Sequence, residues 1–261
     1  MGRFDHLEIT DPNLDPKKAG SKDSGIRDED YYKELADEAF AAEDYERALA
    51  YYSRALQYNI EFEECWLGQL RCLIDLGELR EAIIWSKRAL EKFPKSAQLL
   101  AATAVAEYRD GRTEAAIGYS DASLTESGVT AYCWIARGEV LHIGNPTNSK
   151  ACFTKAIELA PKDWSVRLAI AHAYRIKKQI AEAQIYYKQA VQLDDKQFTS
   201  WCWLGQCAEA LKDYSEATVA YRRTLAINPN CKKAKDALNE IQHRGFFSRL
   251  ADGIRNSLKK S

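Results

Sequence analysis

Residues 198–231 read FTSWCWLGQCAEALKDYSEATVAYRRTLAINPNC, and this stretch decides the fold. Its second half sets Ala217, Tyr221, Thr224 and Leu225 at spacings of three and four, one face of an α-helix. Its first half carries Trp201, Leu204, Gly205 and Ala208. A short Leu-Lys-Asp-Tyr turn follows, with Asp213 placed to cap the second helix, and Pro229 closes the stretch. The small residue at Gly205 lets the second helix come close, while the Tyr221 ring fills the space beyond. Such a helix pair cannot bury its apolar face alone, so it must stack on neighbours.

The chain supplies those neighbours. Stepping back 34 residues from Ala217 and Tyr221 gives Ala183 and Tyr187, with Ala171 and Tyr174 ahead of them. The same register continues through Phe153, Ala156 and Pro161, then Gly111, Ala116 and Tyr119, then Gly77, Ala82, Ala89 and Pro94. It ends at Leu35, Ala36, Tyr45, Ala48, Tyr52 and Ala55. Six copies result, at 29–62, 63–96, 97–130, 131–163, 164–197 and 198–231. The fourth is one residue short, and the register places the loss between its two helices, with Asn145 and Pro146 starting the second. Small residues recur in the first helices at Ala36, Ala104, Gly138, Ala171 and Gly205.

Composition agrees with a helical array. The 261 residues include 14 Tyr but only 13 Gly and 6 Pro, which disfavours Gly-rich phosphate loops and Pro-rich segments. The 37 basic and 38 acidic side chains leave a net charge of -1, with no global attraction to nucleic acid. No apolar run reaches the length that crosses a bilayer, and the first residues lack the order of a secretory signal. The seven cysteines contain no Cys-x-x-Cys pair and sit largely in apolar helical stretches, so reduced thiols in a cytoplasmic protein are expected.

The pattern Trp201-x-x-Leu204-Gly205-x-x-Ala208, then Ala217-x-x-x-Tyr221 and Pro229, resembles the tetratricopeptide repeat. Ala208 stands where that pattern prefers Tyr, and Tyr174 restores it one copy earlier. The third copy diverges most, with Leu100, Glu107, Ser120 and Gly128 at four signature positions. The resemblance covers 29–231. It implies an all-α solenoid, a right-handed superhelix of antiparallel helix pairs whose first helices line a concave groove. It further implies a non-catalytic scaffold or adaptor that binds an extended or helical protein segment in that groove, without cofactor or metal.

In that geometry Leu67, Ile74, Val105, Tyr108, Ile135 and Leu168 form a mostly apolar groove strip, suited to a partner's apolar anchors. Arg71, Arg109 and Arg175 add charge at intervals, and His172 lies among them. The competing reading has neighbouring helices or the chain's own tail covering the strip. Polar replacement of Val105 and Tyr108 together is expected to abolish partner capture without loss of helicity. Some relatives grip a terminal carboxylate with Lys and Asn residues; Lys33 fits the first lysine position, but Asp37 and Arg71 break the rest.

The ends differ in character. Residues 1–28 show no apolar period and read as a flexible arm. After Pro229 a capping helix is expected over Lys232–His243, with Ala234, Leu238 and Ile241 on one face. Beyond it Phe246, Phe247, Leu250, Ile254 and Leu258 recur at helical spacing among Arg249 and other cations. From Cys231 to Ser261 there are eight basic and three acidic residues. This tail reads either as a further capping element or as an amphipathic contact for an anionic membrane or partner. A catalytic reading would need Cys133, His142 and His172 to converge, and no metal-binding, Walker or dinucleotide motif accompanies them.

Overall fold

The computed structural model describes residues 28–142 and 144–243. Every regular element among them is an α-helix, and the helices form antiparallel pairs. They are α1 (Glu29–Ala41), α2 (Tyr45–Tyr58), α3 (Glu63–Leu76), α4 (Leu79–Lys92), α5 (Ala97–Arg109) and α6 (Thr113–Thr125). Then come α7 (Ala131–Leu141), α8 (Pro146–Leu159), α9 (Trp164–Ile176), α10 (Ile180–Leu193), α11 (Phe198–Ala210) and α12 (Tyr214–Ile227). A thirteenth helix, α13, covers 232–243. The odd-numbered helices start on the predicted repeat boundaries, and α13 continues their period. In the fourth copy α8 starts one residue early, so the missing residue does fall between the two helices.

Local chemistry sets the helix ends. The Asp28, Asp44, Ser96, Asp163 and Asp213 side chains each accept a backbone N–H in the first turn of the helix that follows. Asn145 does the same for α8, accepting from the Asn148 N–H at 3.1 Å. The turn inside a repeat needs one left-handed residue, and Glu43, Gly77, Gly111, Lys178 and Lys212 occupy equivalent positions with positive φ. Trp66 and Trp201 donate their indole N–H to the Ile60 and Asp195 carbonyls, both at 2.9 Å, which pins the loop before each repeat. Arg167 does this work in the fifth copy, donating to the Ala160 carbonyl at 2.8 Å.

The chain forms two compact units, one ending at Leu159 and one beginning at Ala160. In the first unit α5 is the centre. Its residues from Leu99 to Tyr108 are all buried, against α3, α4, α6 and α7. A Cβ on Gly138 would lie 2.4 Å from Phe153, so only glycine admits that ring. The second copy reverses this device, with a buried Leu70 on the first helix and a buried Ser86 on the second. The third copy has Ser120 in place of a ring, and Arg137 from α7 donates to its hydroxyl at 2.6 Å and pairs with Asp121 at 2.5 Å. Gly68, which the repeat pattern does not single out, permits a contact between copies: its Cβ would sit 2.3 Å from Tyr52 of α2.

In the second unit Tyr187 and Tyr221 are fully buried. A Cβ on Gly205 would meet the Tyr221 ring at 2.7 Å, the approach that the sequence anticipates. Helix α13 packs Ala234, Leu238 and Ile241 against Ala208, Ala217 and Tyr221. It therefore covers the apolar side that the last repeat would otherwise expose. The tail residues Phe246, Phe247, Arg249, Leu250, Ile254 and Leu258, and the arm over 1–27, lie outside the described residues.

Candidate functional site

The first helices carry the candidate groove residues, and the two units treat them differently. In the first unit Ile74, Val105, Tyr108 and Ile135 are only 4%, 4%, 8% and 6% exposed. Ile74 and Val105 belong to the main core, while Tyr108 packs with Ala104, Ala116 and Val140. Polar replacement of Val105 and Tyr108 would therefore strike the interior and disturb folding, rather than leave helicity intact. Leu67 remains partly exposed.

The cations of this unit are engaged internally. The Arg71 guanidinium lies 4.5 Å from the Phe40 ring centre and 5.0 Å from that of Tyr132, joining α1, α3 and α7. Arg109 donates to both Glu139 oxygens, at 2.7 and 3.2 Å, and to Asp75 at 3.1 Å. Burial alone would disfavour the Arg109 charge, but Glu139 and Asp75 outweigh it and hold the guanidinium firmly protonated. These contacts tie α3, α5 and α7 together across the face that was predicted to receive a partner. Sequence reading missed the triad. Its signal is opposite charges spaced about one repeat apart, at Asp75, Arg109 and Glu139.

The second unit leaves its face more open. Leu168, His172, Arg175, Trp203 and Gln206 are all partly exposed. Here the Tyr187 hydroxyl and His172 Nδ1 are 3.0 Å apart, and His172 meets the Trp203 ring edge-on at 5.5 Å. Trp203 also stacks on Tyr187 at 6.4 Å. The Arg175 guanidinium sits 4.1 Å from the Trp203 ring centre, and Lys233 Nζ is 5.4 Å from it. Trp203 thus joins α9, α10, α11 and α13.

His142 and Cys133 have structural partners. His142 Nδ1 lies 3.3 Å from the Ser149 hydroxyl, and that hydroxyl donates to the Gly138 carbonyl at 2.7 Å. Cys133 Sγ is 3.7 Å from the Thr130 hydroxyl. No group of three His, Cys, Asp or Glu side chains among the described residues could hold a metal ion. All seven thiols are free, and only Cys231 is not buried. Burial pushes the thiols of Cys65 and Cys202 up to about 12 and that of Cys207 up to about 11. Thiolate is the reactive form, so these groups are inert near neutrality. Native protein treated with iodoacetamide should be alkylated first at Cys231, the others reacting only after denaturation. Peptide mass mapping over time checks this, and early labelling of Cys65 would contradict the packing of α3.

Comparison with known proteins places this geometry. Models of the tetratricopeptide repeat match residues 39–106, 130–163, 165–197 and 198–231, more than half of the chain. The chain belongs to the tetratricopeptide repeat family. It is 28% identical over 91 residues to the tetratricopeptide repeat-containing protein trd-1 of Caenorhabditis elegans, covering 34% of this chain and 12% of that protein. It is 30% identical over 100 residues to the general transcriptional corepressor trfA of Dictyostelium discoideum, covering 38% of this chain and 7% of that protein. The matches thus span only a small part of these longer relatives. Among solved structures, a tetratricopeptide repeat protein from Parabacteroides merdae aligns with a TM-score of 0.52 at 16% identity, over 82% of this chain and 84% of that one. A thermophilic protein of the family from Thermus thermophilus aligns with a TM-score of 0.50 at 18% identity, over 82% and 98%. At these identities the likeness is one of fold.

Proposed function

We propose that this chain is a non-catalytic scaffold that receives a segment of a partner protein along the first helices of its second unit. The supporting observation is the contrast between the units. Ile74, Val105, Tyr108 and Ile135 are buried, whereas Leu168, His172, Arg175 and Trp203 are partly exposed. A face that combines aromatic rings with an arginine has the composition that carries most binding energy in protein interfaces. Leu168 is the apolar anchor point of this reading, and the cations beside Trp203 set polarity.

The family's use of such a face makes a peptide or helical segment the natural ligand. A reducing, cytoplasmic setting is part of the proposal. It is supported by seven free thiols in a chain whose described helices are all too short or too polar to cross a membrane.

Affinity capture tests the reading. Full-length protein and the Leu168→Asp variant would be immobilised and exposed to native lysate. The expected result is at least one protein retained by the first and lost by the second, with equal helical content by circular dichroism. Capture that is indifferent to Leu168→Asp would overturn the assignment to this face.

A further inference from the structure

Two cations in the second unit are directed at one aromatic ring, and neither has a carboxylate partner among the described residues. Arg175, from α9, has its guanidinium carbon 4.1 Å from the Trp203 ring centre. Its Nε is buried without a hydrogen-bond acceptor. Lys233, from the first turn of α13, reaches the same ring at 5.4 Å. The other inner-face arginines are served differently. Arg109 has two carboxylates and Arg71 has a ring on each of two neighbouring helices. The acid in the equivalent register on α11, Glu209, accepts the Tyr221 hydroxyl at 2.8 Å. A charged donor kept from water without an acceptor is costly, and a ligand that supplies one recovers that cost on binding.

We propose that Arg175 and Lys233, held against Trp203, form a receiving site for a carboxylate side chain, so that the partner segment is acidic. This rests on the reading of the second unit as the partner-binding face. The indole positions both cations before binding, so little side-chain freedom is lost when the carboxylate arrives. His172 stands edge-on to the same ring and gives the site a further polar wall. Leu168, also on α9, offers a place for an apolar residue of the same segment. The chain's own tail is a poor occupant. Residues 244–261 hold Arg244, Arg249, Arg255, Lys259 and Lys260 against a single acid, Asp252, and like charges repel. A partner rich in Asp and Glu is complementary to the two cations.

The test is selection of random linear peptides displayed on phage against immobilised full-length protein. The best binder would then be synthesised and measured by calorimetry, alongside a form with each Glu changed to Gln and each Asp to Asn. Selected peptides should be enriched in Asp and Glu, and neutralising the peptide should weaken binding. Lys233→Gln, at an exposed position, should cost about tenfold in affinity, and Arg175→Gln with it about a hundredfold. Unchanged melting of both variants would show that the fold is intact, and Lys233→Gln alone keeps the test decisive if Arg175→Gln does not fold. Peptides without acidic enrichment, or acidic peptides that bind Lys233→Gln as tightly as the parent, would overturn the carboxylate site while leaving the scaffold reading in place. Failure to select any peptide would remove the scaffold reading and this site together.

Discussion

Replacing Arg109 by methionine is expected to destabilise the first unit by about 3–5 kcal/mol, the cost of leaving a buried charge without its partner. The Glu139 side chain is only 5% exposed and takes both of its described hydrogen bonds from Arg109. Methionine preserves most of the volume, so the loss would come from charge rather than from a cavity. Asp75 is more exposed and can turn to water, which makes Glu139 the group that suffers. The sign can be checked within a double-mutant cycle. Glu139→Gln should recover a large part of the loss in the Arg109→Met background, because a neutral amide is far cheaper to bury. Urea unfolding followed by circular dichroism reads both variants. A loss below about 1 kcal/mol would mean that the triad behaves as a solvent-screened surface pair.

Phe153→Ala should be of similar size, about 3–5 kcal/mol, since it removes a fully buried ring from α8. The partner residue makes this prediction sharper. Gly138→Ala in the parent pushes a methyl group to 2.4 Å from the ring and should itself cost about 1–3 kcal/mol through overpacking. In the Phe153→Ala background the same methyl group enters vacated space, so the cost should vanish or reverse. The two changes would then be strongly non-additive, as expected for side chains in direct contact. Additive losses would show that the ring does not rest on Gly138. Because repeats are stabilised by their neighbours, the effect should spread through α7 and α8 rather than stay at one site. Amide hydrogen exchange would report that spread.

Much of the architecture was legible in the sequence because it is local. A 34-residue period, a capping side chain and a run at three-and-four spacing each depend on residues within one helix pair. The starts of the odd-numbered helices, the short fourth turn, the Asp213 and Asn145 caps and the apolar face of α13 could all be read that way. Ring-on-glycine packing at Gly205 and Tyr221 was also readable, since both belong to one repeat. Gly68 escaped, because the ring it admits comes from the preceding copy.

The state of the groove face was decided only by tertiary structure. By itself the sequence determined that this chain is a tandem array of helix pairs with a capped end, and that apolar positions recur along its first helices. It could not say which of those positions remain open. Ile135 and Leu168 share one position of the repeat register, yet one is buried and the other partly exposed. The physical reason is that exposure there depends on side chains from other copies. Tyr132 meets Arg71 across two repeat boundaries, and Asp75 and Glu139 close on Arg109 from either side. Such meetings follow from how helices far apart in the chain are brought together, which a periodic pattern within each copy does not encode.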